Sequence, residues 1–342
     1  MTRLVVDVDT GIDDAWALAY LAASPDAEIL GVACTAGNVD ARQVAINSLA
    51  MLELCGRPDV EVCLGAEVPL AQPLVTTPET HGPQGVGWAE LPAPSRPLST
   101  RHATDLWSAT ARAHPGEVVG LVTGPLTNLA TAIRADPELP SLLRRVVIMG
   151  GVFHHPGNTT PTTEWNISVD PEAAHEVFAA FSALPDEQHP VVCPLDVTER
   201  IALTPDHLAR LAETAGSSPV ERPAADQADG TRSAASNQLV RHLVDATRFY
   251  LEFHRDHGQG WIAHLHDAFA AAVALDPAVA TLRRATVDVE LVGTLTRGTT
   301  VADWSGMWGR DANAWIAVDT DPDAVFDDLL TRIGGLAATV PG

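Results

Sequence analysis

Short apolar runs alternate with longer amphipathic stretches along most of the chain, and this rhythm constrains the fold more than any other feature. LVVDVD (4–9), EILGVAC (28–34), VEVCLG (60–65), EVVGLVT (117–123), RRVVIMG (144–150) and HPVVCPL (189–195) read as strands. Between them, DDAWALAYLAA (13–23), ARQVAINSLAMLELCG (41–56) and TNLATAIRA (127–135) read as amphipathic helices. Strands alternating with crossover helices predict an α/β fold with an open, mostly parallel central sheet flanked by helices. The strands are apolar throughout rather than alternating, which fits a sheet covered on both faces. TVDVELVG (286–293) and AWIAVD (314–319) read as a late, antiparallel addition.

Two segments break the rhythm. Residues 71–100 are rich in Pro, Thr and Gly, and residues 215–236 are small, polar and aperiodic. The part of the chain after residue 236 carries too few strands for an independent α/β domain. Residues 1–342 are therefore expected to form a single domain, with mobile loops at 71–100 and 215–236.

Composition narrows the class of function. Apolar residues make up 46% and charged ones 19%, enough for a buried core and unlike a disordered chain. No apolar run approaches the ~18 residues of a membrane span. In MTRLVVDVDT, Asp7 and Asp9 follow directly on the apolar residues, which argues against a signal peptide. The net charge is −23, and every basic residue other than His is Arg. Such acidity argues against nucleic acid or an anionic membrane surface as partner. Cys34, Cys55, Cys63 and Cys193 form no CxxC pair, and reduced core thiols in a cytoplasmic protein are expected.

The densest chemical signal is Asp7-Val8-Asp9-Thr10-Gly11-Ile12-Asp13-Asp14, four carboxylates in eight residues at the end of the first strand. In an open parallel sheet the carboxyl ends of strands are where ligands bind. A helix cap accounts for one of these acids but not for four. Like charges this close repel unless a cation neutralises them, so a hard divalent metal is expected. A DxDxT start after a strand also opens the haloacid-dehalogenase-type phosphatases. Those need a later basic residue, usually Lys, and an acidic GDxxxD-type motif; this chain has no Lys and no such motif.

DVDTGIDDAWAL resembles the signature of the nucleoside hydrolases, calcium-dependent enzymes that cleave the N-glycosidic bond of ribonucleosides. The resemblance continues in order through Thr35-Ala36-Gly37-Asn38, His81-Gly82 and Thr123-Gly124-Pro125-Leu126-Thr127-Asn128-Leu129-Ala130. Met149-Gly150-Gly151 then leads to Gly157-Asn158-Thr159-Thr160, Glu164-Trp165-Asn166 and Asp170-Pro171-Glu172-Ala173-Ala174. His266-Asp267-Ala268 and Arg297-Gly298-Thr299-Thr300 complete the series. Departures are Thr10 where Pro is frequent, Trp165 where Phe is common, and Gln84 where an acid often follows the HG pair.

The resemblance implies a nucleoside hydrolase-like fold with a Rossmann-like core and a role for each motif. Asp9, Asp14, Asp267 and the Thr123 carbonyl would bind one Ca²⁺, with Mg²⁺ sharing the preference for oxygen. Asp9 would take a proton from the attacking water, and His266 would serve the leaving base. Asp13, Asn38, Asn166 and Asp267 would hold the 2′ and 3′ hydroxyls, while Asn158 and Glu164 reach the 5′ hydroxyl. His81 would contact the nucleoside, and Trp165 would pack against the sugar or belong to the core. The helix Val244–His257 and the 75–90 loop would face the base, with Phe249 and Phe253 open to a plain core reading. The expected substrate is a ribonucleoside, and the expected assembly a homodimer or homotetramer. Hydrolysis of another N-ribosyl compound, or silent nucleoside or ribose binding, are the competing readings.

Overall fold

The computed structural model describes residues 1–224 and 227–340. The expected single domain thus has residues 341–342 outside the described part, and the expected 215–236 loop has residues 225–226 outside it. The strands are β1 (Thr2–Val8), β2 (Ala27–Cys34), β3 (Val62–Leu64), β4 (Val118–Val122), β5 (Arg145–Met149) and β6 (Val191–Cys193). They continue as β7 (Ala202–Leu203), β8 (Ala263–His264), β9 (Ala280–Val289), β10 (Thr300–Asp303) and β11 (Ala314–Thr320). Among the described residues, one nine-stranded sheet runs β10-β9-β11-β6-β5-β4-β1-β2-β3, and β7 and β8 form a separate ribbon.

The strands from β3 through β1 to β6 are parallel throughout, in the doubly wound order 3-2-1-4-5-6. The α/β expectation holds. The expected antiparallel addition needs correcting in part. β9 is antiparallel to β11 and β10 to β9, whereas β11 itself runs parallel to β6. β9 also begins at Ala280, before the run read from the sequence, because Arg283 and Arg284 hid its pattern. Their guanidiniums lie over the rings of Trp304 and Trp315 on the sheet surface. The strand ends at Val289, where the Glu290 carboxylate accepts the N–H groups of Val292 and Gly293 and turns the chain.

Both faces of the sheet are covered, as continuous apolar strands require. Along β1, Leu4, Val6 and Val8 join one core, with the helices Ile12–Ala23, Gln238–Asp256, His266–Leu275 and Pro322–Ala337. Val5 points into the other, with the helices Ala103–Ala113, Thr127–Ala135 and Pro171–Phe181. Asp7 also lies on that second side, fully buried, accepting from Trp107 Nε1 and Asn128 Nδ2 at 2.8 Å each. Successive crossovers leave β1 and β4 in opposite directions, and that divergence opens a crevice at their carboxyl ends.

Candidate active site

Asp9 follows directly on β1 and Thr123 directly on β4, so the crevice begins between them. A cavity of about 670 Å³ opens there. Asp9 is seated by backbone: the Asn38 N–H donates to its Oδ2 at 2.9 Å. The Asp14 carboxylate accepts the Gly11 N–H at 2.8 Å and the Thr123 hydroxyl at 2.7 Å, joining the start of the first helix to the end of β4. One oxygen from each of Asp13, Asp14 and Asp267 lies within 4.8 Å of the others. Asp13 thus belongs to the tight acidic trio, while Asp9 stands beside it.

These acids are almost completely buried. Burial, reinforced by the charge of Asp14, pushes the Asp9 carboxyl well above its usual range. Burial and the charges of Asp13 and Asp14 do the same to Asp267, and burial raises Asp13 to about 7. No arginine lines the cavity among the described residues, and the chain has no lysine to supply the missing charge. The donors are hard oxygens, joined by the Thr123 carbonyl, which among the described residues accepts only the Asn166 amide at 2.7 Å and keeps a lone pair. A hard divalent cation fits this set; zinc would call for Cys or His among the donors.

Asn166 and Glu164 enter from the segment after β5. Both Glu164 oxygens serve backbone groups: Oε1 accepts Asn166 N–H at 2.7 Å, and Oε2 accepts Ile167 and Gly151 N–H at 3.0 Å each. Burial holds this carboxyl up at about 7 against those bonds. Asn158 is exposed at the rim, with its Oδ1 accepting the Trp165 N–H at 3.0 Å. Trp165 lines the cavity with its indole N–H buried and without a partner among the described residues. The Asn38 Oδ1 is likewise buried and unpartnered on the cavity wall.

The far wall is aromatic and imidazole-rich. Tyr250, Phe253 and His254 reach it from the helix Gln238–Asp256, which ends one residue before the expected His257, and His257 joins them from the C-cap. His81 Nδ1 accepts the Ile12 N–H at 3.1 Å, and its ring lies 5.4 Å from that of Tyr250. Burial pushes its pKa down to about 3. His266 also lines this wall and meets Thr198 through Nδ1 at 2.7 Å.

The sequence profile of the inosine-uridine preferring nucleoside hydrolases matches residues 4–327. The chain belongs to this family. The pyrimidine-specific ribonucleoside hydrolase RihA of Salmonella gallinarum is 35% identical over 331 residues, covering 96% of this chain and 97% of that protein. A purine-preferring ribonucleoside hydrolase from Gardnerella vaginalis superposes with a TM-score of 0.87 at 29% identity, covering 99% and 100% of the two chains. A plant nucleoside hydrolase gives 0.84 at 27%, covering 97% and 98%. The chain is a nucleoside hydrolase, an enzyme that cleaves N-glycosidic bonds with water.

In this nucleoside hydrolase, several resemblance motifs build the site without facing it. Thr127 Oγ1 and the Leu70 N–H both donate to Asp170 Oδ2, while Asn128 Oδ1 accepts the Ala66 N–H, pinning the chain after β3. Arg297 pairs with Glu172, and Thr300 Oγ1 is bonded to both Val152 N and O, which fixes the root of the Asn158–Glu164 segment. Phe249 packs edge-on against Trp88 away from the cavity, whereas Phe253 lines it, so the helix carries both outcomes expected of that pair. Sequence reasoning missed Met149, His155, Glu199 and His264 on the cavity wall, and Thr198 behind His266. His264 had a usable signal, two residues before the His266-Asp267 pair; Glu199 and Thr198 sit in an unpatterned stretch.

Proposed function

We propose that this nucleoside hydrolase converts ribonucleosides to free base and ribose, with Asp9 as base and Ca²⁺ as the bound cation. One observation carries the reading: a cluster of buried acids without a basic side chain faces a wall of aromatic and imidazole rings. The acidic end suits a ribose that becomes cationic, and the ring-lined end suits a departing base.

Asp9 accepts a proton from the water that attacks C1′ as the bond to the base breaks and its electron pair leaves with the base. Asp13 and Asp267 favour the positive, flattened sugar electrostatically and, with Asn38 and Asn166, bind the 2′ and 3′ hydroxyls. Asn158 and Glu164 hold the 5′ hydroxyl, His81 and Trp165 border the nucleoside, and His266 meets the leaving base. A cation held by Asp9, Asp14, Asp267 and the Thr123 carbonyl would lower the pKa of a water and orient it, and Ca²⁺ suits such an all-oxygen set.

The same reading makes the enzyme a cytoplasmic homodimer or homotetramer of single-domain chains, with segments 71–100 and 215–236 shielding the cavity from water. Four buried free thiols and the exposed Val292, Leu295 and Met307 are compatible with a reducing compartment and with an assembled state. The test is release of reducing sugar from a panel of ribonucleosides and 2′-deoxynucleosides, before and after exhaustive chelation. Ribonucleosides should be cleaved and deoxynucleosides rejected. Ca²⁺ should restore activity better than Zn²⁺; full activity in a preparation shown to be metal-free would overturn the calcium reading.

A further inference from the structure

We propose that Thr198 sets the tautomer of His266, keeping its ring hydrogen on Nε2 and aimed at the leaving base. The proposal rests on the reading of His266 as the group facing that base.

Thr198 is fully buried at the end of the short helix Leu195–Thr198, and its Oγ1 lies 2.7 Å from His266 Nδ1. A hydroxyl can donate or accept, so the direction of this bond follows from where its hydrogen can go. If Oγ1 accepted from an Nδ1–H, its own hydrogen would need another acceptor. The natural one is the Pro194 carbonyl, a turn earlier, but that oxygen receives the Thr198 backbone N–H at 3.0 Å and makes no bond to the hydroxyl. His266 Nδ1 is the hydroxyl's sole partner among the described residues. The hydroxyl therefore donates to Nδ1, and the imidazole hydrogen resides on Nε2.

Nε2 has no protein partner among the described residues, and it is absent from the buried unpartnered atoms, so it opens to the cavity that His266 lines. It presents an N–H to an acceptor on the base, a ring nitrogen or a carbonyl oxygen. The backbone keeps the two residues in register. β7 pairs with β8 through Ala202 and His264, and the Leu265 N–H donates to Ile201 O at 2.9 Å. Thr198 and His266 thus flank the same small ribbon. Thr198 is a positioning residue, acting on the substrate only through the ring.

The experiment compares Thr198→Val, Thr198→Ser and His266→Ala on a nucleoside that the wild type accepts and on p-nitrophenyl riboside, whose phenolate leaves unaided. Thr198→Val should lower kcat on the nucleoside ~10-fold or more with KM within ~2-fold, and should leave p-nitrophenyl riboside within ~2-fold. Thr198→Ser, which restores the hydroxyl, should recover most of the loss. In ¹⁵N-resolved imidazole NMR, the His266 signal, identified by its loss in His266→Ala, should show the Nε2–H form in wild type and Thr198→Ser, and lose that preference in Thr198→Val. An Nδ1–H form in the wild type, or a Thr198→Val ring with unchanged tautomer, overturns the proposal. Equal losses on both substrates for His266→Ala would instead end the leaving-base reading, with the NMR comparison still deciding the part played by Thr198.

Discussion

Gly37 stands so close to Asp9 that a β-carbon at position 37 would lie 2.1 Å from the Asp9 Oδ2. On the other side, a β-carbon at Gly124 would meet the Asp9 backbone nitrogen at 2.9 Å. The loops after β2 and β4 thus close a slot around one carboxylate, and only glycine leaves room for it. Gly37→Ala should displace Asp9, cutting kcat by ~10²-fold, and overpacking should cost ~1–3 kcal/mol of stability. Steady-state kinetics with thermal melts check this; a folded variant with wild-type kcat would refute the slot.

Asp9→Asn keeps an oxygen at the same place while removing the charge and the proton acceptor. It should lower kcat by at least ~10²-fold, with substrate still binding through Asn38, Glu164 and Asn166. A titration of the variant with a ribose-like inhibitor separates retained binding from lost turnover.

Cation binding should be visible without any turnover. Repulsion among Asp13, Asp14 and Asp267 is relieved when a divalent ion enters, so the melting temperature should rise with Ca²⁺. At a concentration of ~100 times Kd the gain should approach ~2.7 kcal/mol. Asp267→Asn should erase most of that rise. Calorimetric scans with and without Ca²⁺ give the answer, and an unchanged rise in the variant would remove Asp267 from the site.

Glu252 joins the two irregular segments to the base-side helix. It accepts Trp88 Nε1 at 2.7 Å and Gly230 N–H at 3.1 Å, and it pairs with buried Arg248, which also reaches Gln227 at 2.8 Å. Glu252→Ala strands the Arg248 charge, a loss of ~3–5 kcal/mol for a buried pair. Hydrogen exchange should speed up around both Trp88 and Gly230. Bound inhibitor should slow exchange there in the wild type, and unaltered protection would argue against a covering role for these segments.

His242 sets an acid limb. Both its ring nitrogens are buried without partners among the described residues, and burial holds its pKa down to about 4 against 6.5 for the free side chain. The unfolded chain therefore binds a proton that the folded chain refuses. Stability from this residue is complete above pH 6.5 and is lost as pH falls toward 4, by an amount on the order of 3 kcal/mol. Urea titrations across that window should show a flatter limb for His242→Leu than for the wild type.

The parallel strands were legible because each is a continuous apolar run, and Asp9, Asp13 and Asp14 because they crowd one strand end. Other parts left no local trace. β7 and β8 are two residues each, and the helix Leu195–Thr198 is too short for any period to appear. Asp267 is a lone acid in an alanine-rich helix, recognisable only through the family resemblance. Glu164 caps the helix Trp165–Val169 from a position where Ser, Thr, Asp or Asn is the usual choice, so its capping role was hidden. The need for glycine at 37 and 124 arises from chain segments far apart in sequence, and no window of sequence contains both sides of such a contact.

The acidic cluster draws its members from opposite ends of the chain, Asp9, Asp13 and Asp14 near the start and Asp267 in the helix His266–Leu275. During synthesis the early acids emerge long before their counterpart and can stay hydrated while β1, β2 and β4 assemble. The electrostatic burden peaks when the helix bearing Asp267 docks, because its carboxylate adds to the repulsion among Asp9, Asp13 and Asp14. Calcium would act at that moment as a fastener for a helix that emerges late, so a shortage of the ion should slow maturation at docking and leave the earlier parallel strands intact.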